Sequence, residues 1–291
     1  MSVVLSATSK VIFYGTNSLS SVRMLSAMIE AGTFVSAVIT NDPSLAIAPS
    51  KPFPTAKDAA IYTGKPDVAL IFTNPADALA AVEDALSADA STIITITEYV
   101  PVHDALLMKD LAREKGALLI GPNSSGVLSA GIAQAGYICN DICNSGNIGV
   151  IAKSGSVAYA AMSEMKGVGL GISTVISIGG DMVKGSDFRE ALALFEADDD
   201  TDAILLLGEI GGADEELAAE FISAQVRKPV VAFISGKSVK PGQSVGHAGA
   251  IVTKSRGGYE GKVKAFRDAG VIVAENFSQI TEKLLLLSYG Q

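Results

Sequence analysis

The sequence predicts an α/β protein made of two consecutive doubly wound domains. Its 291 residues exceed the size at which one hydrophobic core usually keeps growing, so two domains are expected. Hydrophobic residues make up 48% of the chain and aromatic residues only 6%, a balance typical of parallel sheets covered by helices on both faces. Apolar runs also alternate with helical stretches, which indicates βαβ units.

The first five apolar runs predict the strands of one parallel sheet. Several are apolar at every position instead of alternating with polar residues, a pattern typical of strands buried on both faces. Helical stretches separate the runs, so crossovers should connect neighbouring strands. The predicted strands are 11–14, 35–39, 68–72, 93–96 and 117–120.

The same pattern starts again further along the chain, which favours a second sheet over one very large sheet. Between the two sets, residues 121–147 contain Gly121-Pro122-Asn123 and several small or turn-forming residues. We therefore place the division at residue 122, which gives domains 1–122 and 123–291. The predicted strands of the second domain are 148–151, 173–176, 203–207, 230–234 and 271–273, and its helices lie near 156–167, 186–196, 214–226, 258–268 and 278–288.

Charge and composition exclude several classes of protein. A net charge of −9 argues against a surface for nucleic acid or for an anionic membrane. The chain lacks a run of about 18 apolar residues and a basic region followed by an apolar signal core, so we expect a cytoplasmic or mature matrix-type protein. With two histidines and two cysteines, Cys139 and Cys143, we expect no metal site and reduced structural thiols.

His247 lies between residues with almost no side chain, in the sequence Gly246-His247-Ala248-Gly249-Ala250. Such surroundings leave room for another group to approach the imidazole. Neutral imidazole is nucleophilic near pH 7 and can carry a phosphoryl group covalently. From this segment alone, a buried histidine in a turn, with glycines that meet only backbone requirements, is an equally good interpretation.

Other candidate residues follow predicted strands, where ligands of open α/β sheets bind. Ser154-Gly155-Ser156 opens a helix whose amides and dipole could hold a phosphate, although serine there can also be an ordinary N-cap. Glu209 could hold one imidazole nitrogen and leave the other free to attack phosphorus, or it could be a solvated acid in a turn. Asp181 could orient a substrate or cap a turn.

Five motifs together carry a family resemblance. In their order and spacing, and over essentially the whole chain, they resemble the α subunits of succinyl-CoA synthetases, members of the superfamily of nucleoside-diphosphate-forming acyl-CoA ligases. The motifs lie at 94–98, 121–123, 178–181, 208–212 and 246–251.

The resemblance implies a Rossmann-like CoA-binding domain followed by a flavodoxin-like domain. It implies that His247 is phosphorylated during turnover and that Glu209 holds the imidazole. Ser154, Gly155 and Ser156 would help to hold the phosphoryl group, with Ser156 in place of the usual threonine. The CoA-binding candidates are Gly15, Asn17, Ser20, Thr97, Glu98 and Asn123.

The resemblance also implies a partner. ATP or GTP with Mg²⁺ would be bound by a separate β subunit of ATP-grasp fold, in an αβ or α₂β₂ assembly. The sequence agrees with this division, because it contains no Gly-x-x-x-x-Gly-Lys-Ser/Thr nucleotide loop. The nucleoside triphosphate must therefore come from elsewhere.

The first domain departs from the family pattern at three places. A Gly-Phe-Thr-Gly-Ser-Gln-Gly loop usually follows the first strand, whereas residues 15–21 retain only its first glycine. A Thr-Pro-Gly-Lys-Gly-Gly segment usually follows the second strand, whereas residues 40–45 lack the lysine and contain Asp42. Tyr99 stands where glycine is common. Because charge-assisted phosphate contacts are the stronger ones, we expect weakened CoA binding.

These observations predict the α subunit of an ADP- or GDP-forming acyl-CoA synthetase. It would form a thioester from a small carboxylic acid and CoA through acyl-phosphate and phosphohistidine intermediates. One alternative is a divergent paralogue that uses another acid or acyl acceptor. Another is a non-catalytic Rossmann-like regulatory subunit, although such a subunit needs neither Glu209 nor His247. A nicotinamide-dependent enzyme is disfavoured because the first turn lacks Gly-x-Gly-x-x-Gly.

Overall fold

The computed structural model describes residues 3–15, 18–42, 50–239 and 257–289. Its first sheet is entirely parallel, and its interior strands are buried along their length. The strands are β1 (Val11–Tyr14), β2 (Val35–Ile39), β3 (Lys51–Phe53), β4 (Val68–Ile71), β5 (Thr92–Thr95) and β6 (Leu118–Ile120). The helices between them are α1 (Leu19–Glu30), α2 (Ala56–Thr63), α3 (Ala78–Ser87) and α4 (Val102–Glu114).

The strand order of this sheet is β3-β2-β1-β4-β5-β6. This is the Rossmann order, in which the chain reverses direction across the sheet between β1 and β4. Phe13 of β1 lies opposite Val38 on one side and Leu70 on the other, so the apolar residues at this reversal form the centre of the sheet. The crevice that binds ligands in such sheets lies beyond the carboxyl ends of these strands.

The second sheet combines five parallel strands with an antiparallel hairpin. The hairpin is β7 (Gly126–Ser129) and β8 (Ala133–Gly136), and the parallel strands are β9 (Asn144–Ala152), β10 (Gly171–Ser177), β11 (Ala203–Glu209), β12 (Val230–Ser235) and β13 (Ile272–Ala274). The helices are α5 (Gly155–Gly167), α6 (Phe188–Glu196), α7 (Asp214–Gln225), α8 (Tyr259–Asp268) and α9 (Phe277–Tyr289).

The second sheet has the order β13-β12-β11-β9-β10-β7-β8. Its parallel part follows the flavodoxin-like order, whose reversal point lies between β9 and β11. The predicted two-sheet α/β fold is therefore confirmed, and a structural element is present at every predicted strand. None of the described helices combines the length and the apolar character that a membrane crossing requires.

Three strands were not predicted. The β7–β8 hairpin lies within 121–147, which the sequence presents only as small and turn-forming residues. Its strands are Gly-Val-Leu-Ser and Ala-Gln-Ala-Gly, which offer almost no β-branched residues for a sequence pattern to detect. The hairpin joins the second sheet because Val127 to Ser129 pair with β10. β3 is three residues long and contains a proline, as an edge strand can.

The two sheets contact each other through helix α1 and the hairpin. The hydroxyl of Thr33 donates to the carbonyl of Gln134 at 2.7 Å, and the hydroxyl of Ser129 donates to the carbonyl of Leu5 at 2.6 Å. A third bond runs from the hydroxyl of Ser186 to the carbonyl of Leu119 at 2.8 Å. Because these hydroxyls are buried and paired, they hold the first sheet and its helices against the hairpin and the loop before α6.

Candidate active site

Strand β9 ends at the cleft, and helix α5 begins three residues later. Ser154 has the extended backbone of an N-cap residue, yet its side chain makes no capping hydrogen bond within the described part of the chain. Ser156, in the first turn of α5, is exposed. The amide end of a helix carries partial positive charge, so this helix start can hold an anion through its N–H groups and the two hydroxyls.

Gly155 allows this helix start to approach the turn before β7. A Cβ atom at Gly155 would lie 2.0 Å from Oγ of Ser125 and 2.9 Å from its Cβ. Carbon atoms do not approach that closely without displacement of one of them. The glycine is therefore required by packing between α5 and the turn at Ser125.

Glu209 is the last residue of β11, the strand beside β9. The register pairs Leu207 with Ala152, so the residues that leave both strands emerge side by side. The side chain of Glu209 is 7% exposed, and its main-chain N–H donates to Oε1 of Glu215 at 3.1 Å. Glu209 thus lies at the reversal point of the flavodoxin-like sheet, where ligands of this fold bind.

A network of charged side chains is connected to the main chain of Glu209 through Glu215. Nζ of Lys153 is 2.9 Å from Oε1 of Glu215 and 3.1 Å from Oδ2 of Asp214. Nζ of Lys184 is 2.9 Å from the same oxygen of Asp214. On the other side, Lys262 pairs with Oε2 of Glu215. We call these residues the buried charge network. Glu216 lies outside it, with a partly exposed side chain 2.9 Å from Nζ of Lys262.

Pairing within the network shifts the pKa values of Lys153 and Asp214. Burial alone would lower the pKa of Lys153, but Glu215 and Asp214 outweigh it and raise this pKa above its usual value, with a smaller contribution from Glu209. Burial would likewise raise the pKa of Asp214, yet Lys153 and Lys184 lower it to about 2. The ammonium group of Lys153 is therefore a permanent positive charge at the end of β9.

Two cavities open at this cleft. The first cavity has a volume of about 640 Å³, and the second about 900 Å³. Both lie between the carboxyl ends of the two sheets, and one set of residues separates them. Residues that line both cavities are Glu98, Tyr99, Asn123, Ser154 and Ser156; Glu209 and Asp181 line the first alone, and Thr97, Lys153 and Gly155 the second alone.

Two turns from different strands meet on the wall of the first cavity. Nδ2 of Asn123 donates to Oδ1 of Asp181 at 2.9 Å, and Asn123 has a left-handed φ of 56°. Gly179 also has a positive φ, and a Cβ there would lie 2.2 Å from the carbonyl oxygen of Pro122. Asp181 therefore orients the amide of Asn123 toward the cleft instead of serving only as a turn cap.

Most of the predicted site residues that the structure describes lie at this cleft. Ser154, Gly155 and Ser156 do so at the start of α5, and Glu209 lines the first cavity together with Ser154 and Ser156. Thr97 and Glu98 reach the cleft from the segment after β5, and Asn123 reaches it from the turn before β7. Gly15 and Ser20 line neither of these two cavities: Gly15 packs between Phe13 and the Ser21 hydroxyl, and Ser20 is exposed on α1. Asn17 and His247 lie outside the described residues.

Sequence reasoning did not identify the buried charge network. Lys153 directly follows a continuously apolar strand, and a charge at that place is a usable signal. Glu215 gives no such signal, because three acids at the start of a helix are ordinary partners of the helix dipole. Lys262 lies 47 positions from Glu215 along the chain, and only the packing of α8 against α7 brings them together.

Comparisons with known proteins agree on one family. The family model described as CoA-ligase matches residues 151–272. The α2 subunit of an ADP-forming succinate–CoA ligase from Archaeoglobus fulgidus is 37% identical over 282 residues, which cover 97% of this chain and 98% of that protein. The α subunit of the ADP-forming enzyme from Aquifex aeolicus is 41% identical over 232 residues, or 79% of this chain and 76% of that one.

A solved structure has the same fold over nearly the whole chain. ATP citrate lyase from Methanothrix soehngenii, in complex with citrate and coenzyme A, superposes with a TM-score of 0.83 at 26% sequence identity. The match covers 99% of this chain and 51% of that chain. The present chain therefore spans about half the length of that lyase, whereas it spans nearly all of the Archaeoglobus subunit.

Proposed function

The chain belongs to the family of succinate–CoA ligase α subunits, and from this premise we propose that His247 is its phosphoryl carrier. As a member of that family it is a subunit of an acid–thiol ligase. An imidazole nitrogen of His247 attacks the γ-phosphorus of a nucleoside triphosphate, and the diphosphate leaves. An oxygen of the acid's carboxylate then takes the phosphoryl group and releases the imidazole.

The arrangement of Glu209 opposite the α5 start carries this proposal. A carboxylate that accepts from one imidazole nitrogen fixes the tautomer and leaves the other nitrogen free to attack. The amides of α5, with Ser154 and Ser156, provide the donors that a phosphoryl group needs. Glu209 and the start of α5, the two parts of the proposed phosphohistidine site, both line the first cavity.

The described residues on either side of the segment with His247 support this assignment. Ser235, at the end of β12, is the register partner of Glu209. Beyond the segment, the carbonyl of Gly257 accepts from the N–H of Gly211 at 2.8 Å. Ser235 and Gly257, which lie before and after this segment, are therefore both next to the end of β11 at Glu209. A contact between Glu209 and His247 is part of the proposal.

We propose that CoA binds in the first domain and reaches the second cavity. Thr97, Glu98 and Asn123 would contact it, and the cavity joins the crevice of the first sheet to the start of α5. Polar groups and a volume of about 900 Å³ fit a slender thiol-bearing arm. CoA, when bound, supplies the thiol that displaces phosphate from the acyl group. Gly15, Asn17 and Ser20 would lie nearer its phosphates.

Weakened CoA binding is part of this proposal, because Asp42 and residues 15–21 replace the usual cation and glycines. Calorimetric titration of CoA into the assembled enzyme measures it. A dissociation constant at least about tenfold above that of a family member with the usual lysine is expected, which corresponds to about 1.4 kcal/mol. Equal affinity would show that the altered segments do not govern CoA binding.

The remaining assignments belong to the same proposal. The triphosphate, ATP or GTP with Mg²⁺, is bound by a β subunit of ATP-grasp fold in an αβ or α₂β₂ assembly located in the cytoplasm. Residues 1–122 and 123–291 form the two domains, since β6 ends at Ile120 and β7 already belongs to the second sheet.

The decisive experiment is co-purification with the β subunit. A panel of small carboxylic acids is then tested with the complex, and the formation of nucleoside diphosphate and thioester is measured.

A further inference from the structure

One buried carboxylate connects the two halves of the candidate site. Glu215, the second residue of α7, is 0% exposed. Its Oε1 accepts both from Nζ of Lys153 at 2.9 Å and from the main-chain N–H of Glu209 at 3.1 Å. Its Oε2 accepts from Nζ of Lys262, which is also 0% exposed. Strand β9, strand β11 and helix α8 are therefore joined at one side chain.

Stability alone does not account for this arrangement. Removing an ion pair from water is costly, and apolar residues of similar volume usually serve a core as well or better. The Glu215–Lys262 pair lies entirely in the interior, where that cost is highest. Its position beside Glu209 and Lys153 points to a requirement of the site.

We propose that Glu215 is a positioning residue for phosphoryl transfer, holding the main chain of Glu209 and the ammonium group of Lys153 in fixed relation. This inference rests on the proposed function, because it assigns Glu209 to the imidazole and the α5 start to the phosphoryl group. Lys153 immediately precedes Ser154, so its direction affects where α5 begins. A shift of either element changes the distance between the carboxylate and the phosphate donors.

Charge adds to this geometric role. Asp214 and Glu215 hold Lys153 in its charged form next to Glu209, and Lys184 balances Asp214 from the other side. The positive charge of Lys153 therefore lies within electrostatic range of Glu209.

The chain offers a matched control in the next residue. Glu216 also pairs with Lys262, at 2.9 Å, but no bond is described from its side chain to Lys153 or to the N–H of Glu209. Glu215→Gln removes one charge at the junction, and Glu216→Gln removes one charge beside it. The readout is the initial rate at which the assembled α and β subunits transfer ³²P from labelled ATP to this chain.

Glu215→Gln should lower this rate by about 10- to 100-fold, the usual effect of losing a group that orients a reacting one. The KM for ATP should not change, because the nucleotide binds to the partner. Glu216→Gln should stay within about threefold of the wild-type protein. Equal rates for Glu215→Gln and the wild-type protein, or equal losses for both variants, would overturn the inference.

A double-mutant cycle separates positioning from a general structural effect. If Glu215 acts through Glu209, then Glu215→Gln in a Glu209→Gln background costs less than about threefold further. A full additional loss there would overturn the inference. If Glu215→Gln fails to fold, the double variant Glu215→Gln/Lys262→Met removes both charges of the buried pair. The rate of ³²P transfer to this double variant should fall by the same factor as expected for Glu215→Gln alone.

The same experiment distinguishes this inference from the proposed function. If the wild-type chain takes up no phosphate at His247, the proposed function fails and the inference falls with it. If the wild-type chain is labelled at His247 and Glu215→Gln is labelled at the same rate, only the inference fails.

Discussion

A Cβ atom on Gly155 would lie 2.0 Å from Oγ of Ser125, so the start of helix α5 rests directly on the turn that leads into the β7–β8 hairpin. The hydroxyl of Ser125 could rotate away, but its Cβ would still be 2.9 Å distant. The position of the helix start that we propose to hold phosphate is therefore fixed by a segment far from Glu209 in sequence.

Gly155→Ala should displace the start of α5. The free energy of unfolding should decrease by about 1–2 kcal/mol because of overpacking, and phosphoryl transfer should slow by at least about tenfold because the donors are misplaced. Chemical denaturation and ³²P transfer measure the two effects.

Gly167→Ala, at the other end of the same helix, is the control for Gly155→Ala. Among the residues that the structure describes, no atom outside the same helix lies within 4 Å of a Cβ at Gly167. Alanine there should therefore stabilise the protein slightly and leave transfer unchanged. Adding Ser125→Gly to Gly155→Ala removes both contacting atoms and should restore transfer. A rate that stays low in that double variant would show that the contact with Ser125 is not the cause.

Tyr99 has a strained backbone at the wall between the two cavities. Its φ is 60°, and its side chain is 84% exposed, so it has little packing to offset a conformation that L-residues rarely adopt. Tyr99→Gly should therefore raise the free energy of unfolding by about 1 kcal/mol. Tyr99→Ala keeps a Cβ and should give no such gain. Equal stability of the two variants in urea denaturation would contradict the strain.

Asp214 links stability to pH. Its folded pKa of about 2 lies below the usual value of 3.8, so it stabilises the fold above about pH 4 and loses this contribution as pH falls through 2. Asp214→Asn should cost about 2 kcal/mol at pH 7 and progressively less below pH 4. Asp268→Asn, in an exposed pair with Lys264, is the control and should cost no more than about 0.5 kcal/mol. A cost for Asp214→Asn that is independent of pH would contradict the pairing.

The sequence predicts the fold well because its strands are buried on both faces. Runs such as Ala203–Leu207 are apolar at every position, and no helix period competes with them. The β7–β8 hairpin escapes prediction because Gly126 and Gly136, which both have a positive φ, approach each other too closely for any side chain. Two backbones that approach this closely require glycine at the contact. The sequence shows the glycines but does not show which of them lie against each other.

The site is predictable only where a residue follows a strand. Glu209 and Ser154 are recognisable because strand ends converge in parallel sheets. The contact between Asn123 and Asp181, and the junction at Glu215, depend on how helices and turns from distant parts of the chain pack together. The pattern of a single helix, such as three acids at the start of α7, cannot show which of them is buried.

Transfer of ³²P from labelled ATP to His247→Ala tests the central claim most directly, with His103→Ala as the matched control. His103 is the only other histidine of the sequence, and its side chain is 81% exposed at the start of α4. In complex with the β subunit, the wild-type chain and His103→Ala should acquire equal acid-labile label, and His247→Ala none. Undiminished labelling of His247→Ala would contradict the assignment of His247 as the phosphoryl carrier.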